Sequence, residues 1–185
     1  MTNFVEIDSS PPISIYVDGS CIENRNVTSD TIAGWGFLVV SGDRGLGKGT
    51  GDVIYEESGK VVTDKDKQEW IGAEVGSNNT AELSAMIHAL RWVITQCPDV
   101  PITIRGDSMY ALRITDGSWK AKENKLLARK ANEIWKVSEQ LVEIKLAHIK
   151  AHTGHRWNER ADHLAIRAAN DEAPVSLSFW KPGQR

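Results

Sequence analysis

A mixed-sheet α/β domain is the fold class this sequence predicts, and three observations predict it. Short apolar strands crowd the first third of the chain. A strongly periodic helix then intervenes before the next strand, an arrangement that returns the chain parallel to an earlier strand. Helical and strand patterns alternate from there to residue 170. With 185 residues, 41% apolar and 25% charged, the chain is neither a disordered segment nor a disulfide scaffold. A chain of this size buries roughly 70% of its unfolded surface and needs no covalent staples.

The elements follow in order. Ile13 to Val17 alternates apolar and polar, reads as a strand, and runs into Asp18-Gly19-Ser20-Cys21. Ala33 to Val40 is a second strand, followed by a glycine-dense loop over 41–51. Val53 to Tyr55 and Val61-Val62 read as a hairpin about a Ser58-Gly59-Lys60 turn, and Trp70 to Val75 as a further strand. Thr80 to Gln96 carries Leu83, Ile87, Leu90 and Ile94 at helical spacing, with Asn79 as the expected N-cap. Val100 to Ile104 forms a strand ending in Gly106-Asp107-Ser108, and helices follow over 108–115 and 124–141. Val142 to Leu146 is a half-buried strand, and Asn158 to Asn170 a helix with Ala161, Leu164, Ala165 and Ala168 on one side. This divides the chain into an N-terminal extension over 1–12, a domain over 13–170 and a loosely held tail over 171–185.

No apolar run approaches the ~20 residues of a membrane span, and Met1 to Glu6 lacks the basic start and apolar stretch of a signal peptide. The two cysteines, Cys21 and Cys97, form no CxxC pair, which excludes a cysteine zinc site and points to a reducing, cytoplasmic setting. Net charge is −3, but it is unevenly distributed. Residues 1–110 hold 8 Lys/Arg against 16 Asp/Glu, whereas residues 111–185 hold 14 against 9. A basic strip opposite an acidic half suits a phosphate-rich partner, although a run of charge is also what a solvated helix face shows.

Four carboxylates occupy positions of interest. Asp18 and Asp107 each stand just past the apolar part of a strand, at the end where open sheets bind ligands. Glu82 and Asp162 each head a helical turn with apolar residues below them. Singly, each has an ordinary explanation: turn residues for the two aspartates in Asp-Gly-Ser and Gly-Asp-Ser, a capping acid for Glu82, a helix-dipole partner for Asp162. Together they would put four acids on one sheet edge, which requires cations, and oxygen-only ligands select hard ions such as Mg²⁺ or Mn²⁺.

Five blocks, in order, resemble type 1 ribonuclease H: Tyr16-Val-Asp-Gly-Ser-Cys21, Gly34-Trp-Gly-Phe-Leu38, Asn78-Asn-Thr-Ala-Glu-Leu83, Gly106-Asp-Ser-Met-Tyr110 and Ile149-Lys-Ala-His-Thr-Gly-His155. The last continues into Asn158-Glu-Arg-Ala-Asp162. The resemblance implies a ribonuclease H-like five-stranded mixed sheet flanked by helices, to which this chain adds an extended hairpin and loop insertion in the 41–70 stretch. It implies an endonuclease that hydrolyses the RNA strand of RNA/DNA hybrids with two Mg²⁺ ions (Mn²⁺ substituting), leaving 5′-phosphate and 3′-hydroxyl ends. Asp18, Glu82, Asp107 and Asp162 correspond to the metal-binding carboxylates and His152 to a catalytic histidine on a mobile loop. Asn78 corresponds to a contact with the RNA strand, and Gly19, Ser20, Cys21 and Asn79 are the further candidates for reading 2′-hydroxyls. Trp119, Lys120, Lys122 and Lys125 are the candidates for holding the DNA strand.

Two departures from the family stand out. Thr115 to Asn124 is shorter than the basic protrusion some members carry, and Ser41 to Trp70 is longer than usual. Gly42 to Gly49 nearly spells a phosphate-binding loop, but Gly49 stands where Ser or Thr must meet magnesium and a strand follows. A free-standing monomer without an obligate protein partner is expected. The rivals are a DNA-processing integrase or transposase of the same fold and a non-catalytic hybrid-binding module. The His152-Thr-Gly-His155 block and the full set of four acids argue against each.

Overall fold

The computed structural model describes residues 10–184; the expectation for Met1 to Glu6 lies outside them. Five strands form one sheet in the order β3-β2-β1-β4-β5: β1 (Ile13–Cys21), β2 (Ala33–Ser41), β3 (Asp52–Lys60), β4 (Ile102–Gly106) and β5 (Ile144–His148). The first three are antiparallel neighbours; β4 joins β1 in parallel, and β5 joins β4 in parallel. Four helices complete the fold: α1 (Asn78–Gln96), α2 (Met109–Thr115), α3 (Lys125–Leu141) and α4 (Arg156–Ala169). The mixed five-stranded sheet is therefore present as expected.

Strand alternation sorts the core onto the two faces of the sheet. Ile13, Ile15 and Val17 of β1 pack with Trp35, Phe37 and Val39 against Met86, Leu90 and Val93 of α1. Tyr16, Leu38 and Val40 point the other way, onto Trp157, Ala161 and Leu164 of α4. β1 and β2 are thus buried on both faces, which is why their apolar runs are nearly continuous. α4 lies close to β2 because two glycines allow it. A Cβ at Gly34 would stand 2.3 Å from the Ala165 carbonyl oxygen, and one at Gly36 would stand 2.6 Å from Leu164 Cβ.

Several local expectations are corrected. Ser58-Gly59-Lys60 is no turn: β3 runs unbroken to Lys60, because its whole length pairs with β2 and the Val61 N–H donates to the Ala33 carbonyl. Trp70 to Val75 is no strand. Its apolar residues Ile71 and Ala73 bury in a cluster with Leu83, Ile87 and Leu127 instead. The N-cap of α1 is Ser77, not Asn79: the Ser77 side chain accepts from the Thr80 N–H while the Thr80 hydroxyl accepts from the Ser77 N–H. That shift puts Glu82 in the second turn, where it cannot cap, and leaves Asn78 and Asn79 exposed at the helix start.

The segment after α4 is not loose. Trp180 is 3% exposed, and residues 175–184 hydrogen-bond repeatedly to α4. Nine irregular residues separate α2 from α3, so the trimmed linker carries no helix of its own. Among the described residues, no helix is long and apolar enough to cross a membrane.

Candidate active site

Parallel pairing brings the first two carboxylates together. Tyr16 pairs with Arg105, so Asp18 and Asp107, each two residues further on, leave adjacent strands at one level. α1 then supplies the third. A Cβ on Gly19 would stand 2.3 Å from the Glu82 nitrogen and 2.5 Å from the Ala81 carbonyl carbon, so only glycine lets this helix approach the end of β1 so closely. Carboxylate oxygens of Asp18, Glu82 and Asp107 lie within 4.8 Å of one another. Asp18 is 6% and Glu82 8% exposed.

Such a cluster is costly to charge. Burial, reinforced by Asp107 and Asp162, holds Asp18 well above the usual carboxylate range. Burial, then the charges of Asp18 and Asp107, does the same to Glu82. Asp162, on α4, is therefore close enough to act on Asp18, and both line the same pocket with Asp107 and His152. Glu82 lies behind that opening. Its Oε2 is buried without a hydrogen-bond partner, as is Asn158 Oδ1. An orphaned carboxylate oxygen beside two other acids is a place a cation fills, and the all-oxygen donor set suits a hard divalent ion. These residues fit a divalent metal.

The surroundings fix the acids in place. The Gly19 N–H donates to Asp18 Oδ1 at 2.8 Å, and Asn158 Nδ2 donates to Asp107 Oδ2 at 3.2 Å. A ring nitrogen of His148 sits 3.1 Å from the Asp107 carbonyl oxygen. His152 is exposed between β5 and α4, with φ of 53°, a left-handed conformation that a non-glycine residue adopts rarely. Gly154, φ 77°, follows it.

Most of the chain matches a known pattern. The family model for RNase H matches residues 10–170. The chain belongs to the ribonuclease H family. A ribonuclease H from Methylobacillus flagellatus is 32% identical over 172 residues, covering 88% of this chain and 94% of its own. One from Ralstonia nicotianae is 29% identical over 162 residues, covering 83% and 88%. Among solved structures, RNase H1 of the halophilic archaeon Halobacterium salinarum superposes with a TM-score of 0.61 at 25% identity, covering 86% of this chain and 98% of its own. LC11-RNase H1 in complex with RNA/DNA hybrid gives 0.60 at 26%, covering 86% and 97%.

The remaining candidates divide into two groups. Gly19, Ser20 and Cys21 finish β1 beside the acids, half-buried. Asn79 lines a separate groove with Tyr110, Trp119, Lys120 and Lys122, which Lys125 does not line although it opens α3 nearby. Asn78 is held by its N–H, which donates to Asn24 Oδ1 at 2.9 Å. Sequence reasoning gave no site role to Asn158 and Glu159, quoted only as part of the last block, nor to the 183–184 pair, all of which line the acidic pocket. The one available signal was Trp180, a large aromatic in a stretch otherwise read as loose.

Proposed function

We propose that this ribonuclease H hydrolyses the RNA strand of RNA/DNA hybrids using two Mg²⁺ ions, with Mn²⁺ able to replace them. The observation that carries this reading is the triad of buried Asp18 and Glu82 with half-buried Asp107 and an orphaned Glu82 oxygen, with Asp162 lining the same pocket as the two aspartates. Asp18, Glu82, Asp107 and Asp162 would hold the ions. When bound, the ions supply charge neutralisation at the scissile phosphate and a more acidic water.

The chain's own residues do the rest. Asn158 and the Gly19 N–H orient the Asp107 and Asp18 carboxylates by holding one oxygen of each. His152, exposed and on a glycine-loosened turn, moves a proton at the departing 3′ oxygen. The Gly19–Cys21 backbone, Asn78 and Asn79 read 2′-hydroxyls on the RNA strand, while Trp119 stacks on the DNA strand beside Lys120, Lys122 and Lys125. That hybrids are the substrate is supported by the family match and by the relative solved in complex with RNA/DNA hybrid. All four acids come from one chain, which suits a monomer, and the two free cysteines suit a reducing compartment.

One assay tests the reading: labelled RNA paired with DNA, duplex DNA and RNA alone, each with and without Mg²⁺. Metal-dependent cleavage of RNA in the hybrid alone is expected. Cleavage of duplex DNA instead would favour the integrase-like rival.

A further inference from the structure

The four acids are not equally anchored. Asp18, Glu82 and Asp107 sit on β1, α1 and the end of β4, elements fused through the core. Asp162 sits on α4, which packs on the opposite face of the sheet, where Trp157, Ala161 and Leu164 join Tyr16 and Leu38 in a separate cluster. The first two turns of α4 are held by a segment distant in sequence. The Gly183 N–H donates to Glu159 Oε2 at 2.7 Å, and Arg160 Nη1 donates to the Val175 carbonyl at 2.7 Å. The buried His163 ring spans the same segment: Nε2 accepts from the Val175 N–H and Nδ1 meets the Gln184 carbonyl, each at 3.0 Å. Trp180 Nε1 donates to that same carbonyl at 3.2 Å, closing the segment on itself. The Arg160 guanidinium lies 5.4 Å from the Trp180 ring centre. Residues 159, 160 and 163 bracket Asp162, and every one of them is tied to 175–184.

Gly183 and Gln184 also line the acidic pocket, together with Asp18, Asp107 and Glu159. A strap that served stability alone could lie anywhere along α4; this one ends at the catalytic opening and takes hold of a carboxylate there. We propose that residues 180–184 are a positioning element of the active site: by holding Glu159 and clasping α4 around Asp162, they set where the fourth carboxylate stands relative to the other three. Glu159 and Trp180 are then positioning residues acting through Asp162. The inference rests on the reading of Asp162 as a metal ligand.

The test compares Glu159→Ala, Glu159→Gln, Trp180→Ala, Lys60→Gln and Asp162→Asn in the full chain. Each variant is titrated with Mn²⁺ by calorimetry in the metal-free state, assayed for kcat and KM on a hybrid, and melted. Groups that orient metal ligands change affinity by about tenfold or more when removed. Glu159→Ala and Trp180→Ala should therefore weaken Mn²⁺ binding and lower kcat by about that factor, with KM little changed. Glu159→Gln, which keeps an acceptor for the Gly183 N–H, should recover most of the loss. Lys60→Gln breaks the Lys60–Asp171 pair at the other end of the segment and should leave Mn²⁺ affinity alone. If Trp180→Ala does not fold at the assay temperature, the two Glu159 variants decide. A lowered melting temperature with unchanged Mn²⁺ affinity and kcat overturns the proposal, as does a Gln variant no better than Ala, which would mean that the Glu159 charge acts directly. Full activity in Asp162→Asn would instead overturn the reading beneath it.

Discussion

The acidic pocket and the basic groove are built in opposite ways. The pocket gathers carboxylates from β1, α1, β4 and α4 into a space where Asp18 and Glu82 are nearly inaccessible and hold their protons above the ordinary range. The groove is made from the short α2–α3 linker, where Trp119 is 50% exposed and Lys120 and Lys122 are solvated. One region concentrates charge at a desolvation cost that a bound cation or retained protons must offset; the other spreads charge where water already solvates it. The pocket is therefore suited to chemistry and the groove to affinity, and substitutions in the two should separate cleanly.

The largest effect is expected from Asp107→Asn. Removing one member of the buried cluster should lower hybrid cleavage by more than about a hundredfold, the upper end of what losing a mere supporting group costs a metal site. Hybrid binding in the absence of turnover should persist. The same variant bears on stability. In the metal-free protein, Asp18 and Glu82 keep protons that the unfolded chain releases above about pH 4. Their contribution is thus full below that pH and is lost as pH rises through the elevated folded values. Asp107 is among the causes of both elevations. Asp107→Asn should therefore melt higher than wild type near neutral pH without metal, and its stability should fall less steeply from acid to neutral. A variant cleaving within tenfold of wild type removes Asp107 from the site.

Replacing the ion is the next sharpest test. Mg²⁺ demands near-octahedral coordination at ~2.0–2.1 Å, whereas Ca²⁺ accepts longer and looser shells. Calcium should occupy the acids and support hybrid binding without turnover. Robust hydrolysis in Ca²⁺ alone contradicts a site built on tight ion geometry.

How far the two regions could be read from sequence differs for the same physical reason. Asp107 was legible because strand patterning locates the end of β4, Asp18 because the apolar run of β1 stops at Val17 although the strand itself continues to Cys21, and Glu82 because a long amphipathic helix has a readable phase. The fold class and four of the five strands of the sheet followed from the same periodicities, whereas β3 reads from sequence as a hairpin because Ser58-Gly59-Lys60 is turn-like in composition. Where chemistry depends on contacts between segments distant in sequence, periodicity carries no information. The clasp of 175–184 on α4 is made largely through backbone groups and one tryptophan, so nothing repeats in the sequence to announce it. Ile71 and Ala73 misled in the other direction: alternation appropriate to a strand served an irregular segment packed on α1 and α3. Ser77 outcompeted Asn79 as cap because the reciprocal Thr80 bond satisfies two donors where Asn79 alone would satisfy one. That two-residue shift is what removed capping as an explanation for Glu82.

The groove should respond to salt where the pocket does not. If Lys120, Lys122 and Lys125 meet phosphates, changing all three to Gln should weaken hybrid binding and leave kcat near wild type. Each lost contact should flatten log affinity against log salt by roughly 0.7–0.9 units, so a loss of about two units is expected when not every lysine engages. A slope and affinity equal to wild type would return these lysines to the role of a solvated face.

Trp119→Ala should have the smallest effect, and one of a different kind. The ring is neutral, lies half-exposed among the lysines, and shares its groove with Asn79 from the start of α1. A stacking ring contributes dispersion and apolar burial rather than counterion release. Its removal should weaken hybrid binding by ~1–3 kcal/mol with the salt slope unchanged. Combining it with the triple Gln variant then separates the two contributions. If they act independently, the losses add and the slope stays that of the lysine variant; if Trp119 mainly braces the linker that carries the lysines, Trp119→Ala alone should already flatten the slope. The second outcome would make the ring a support for the basic strip rather than a contact of its own.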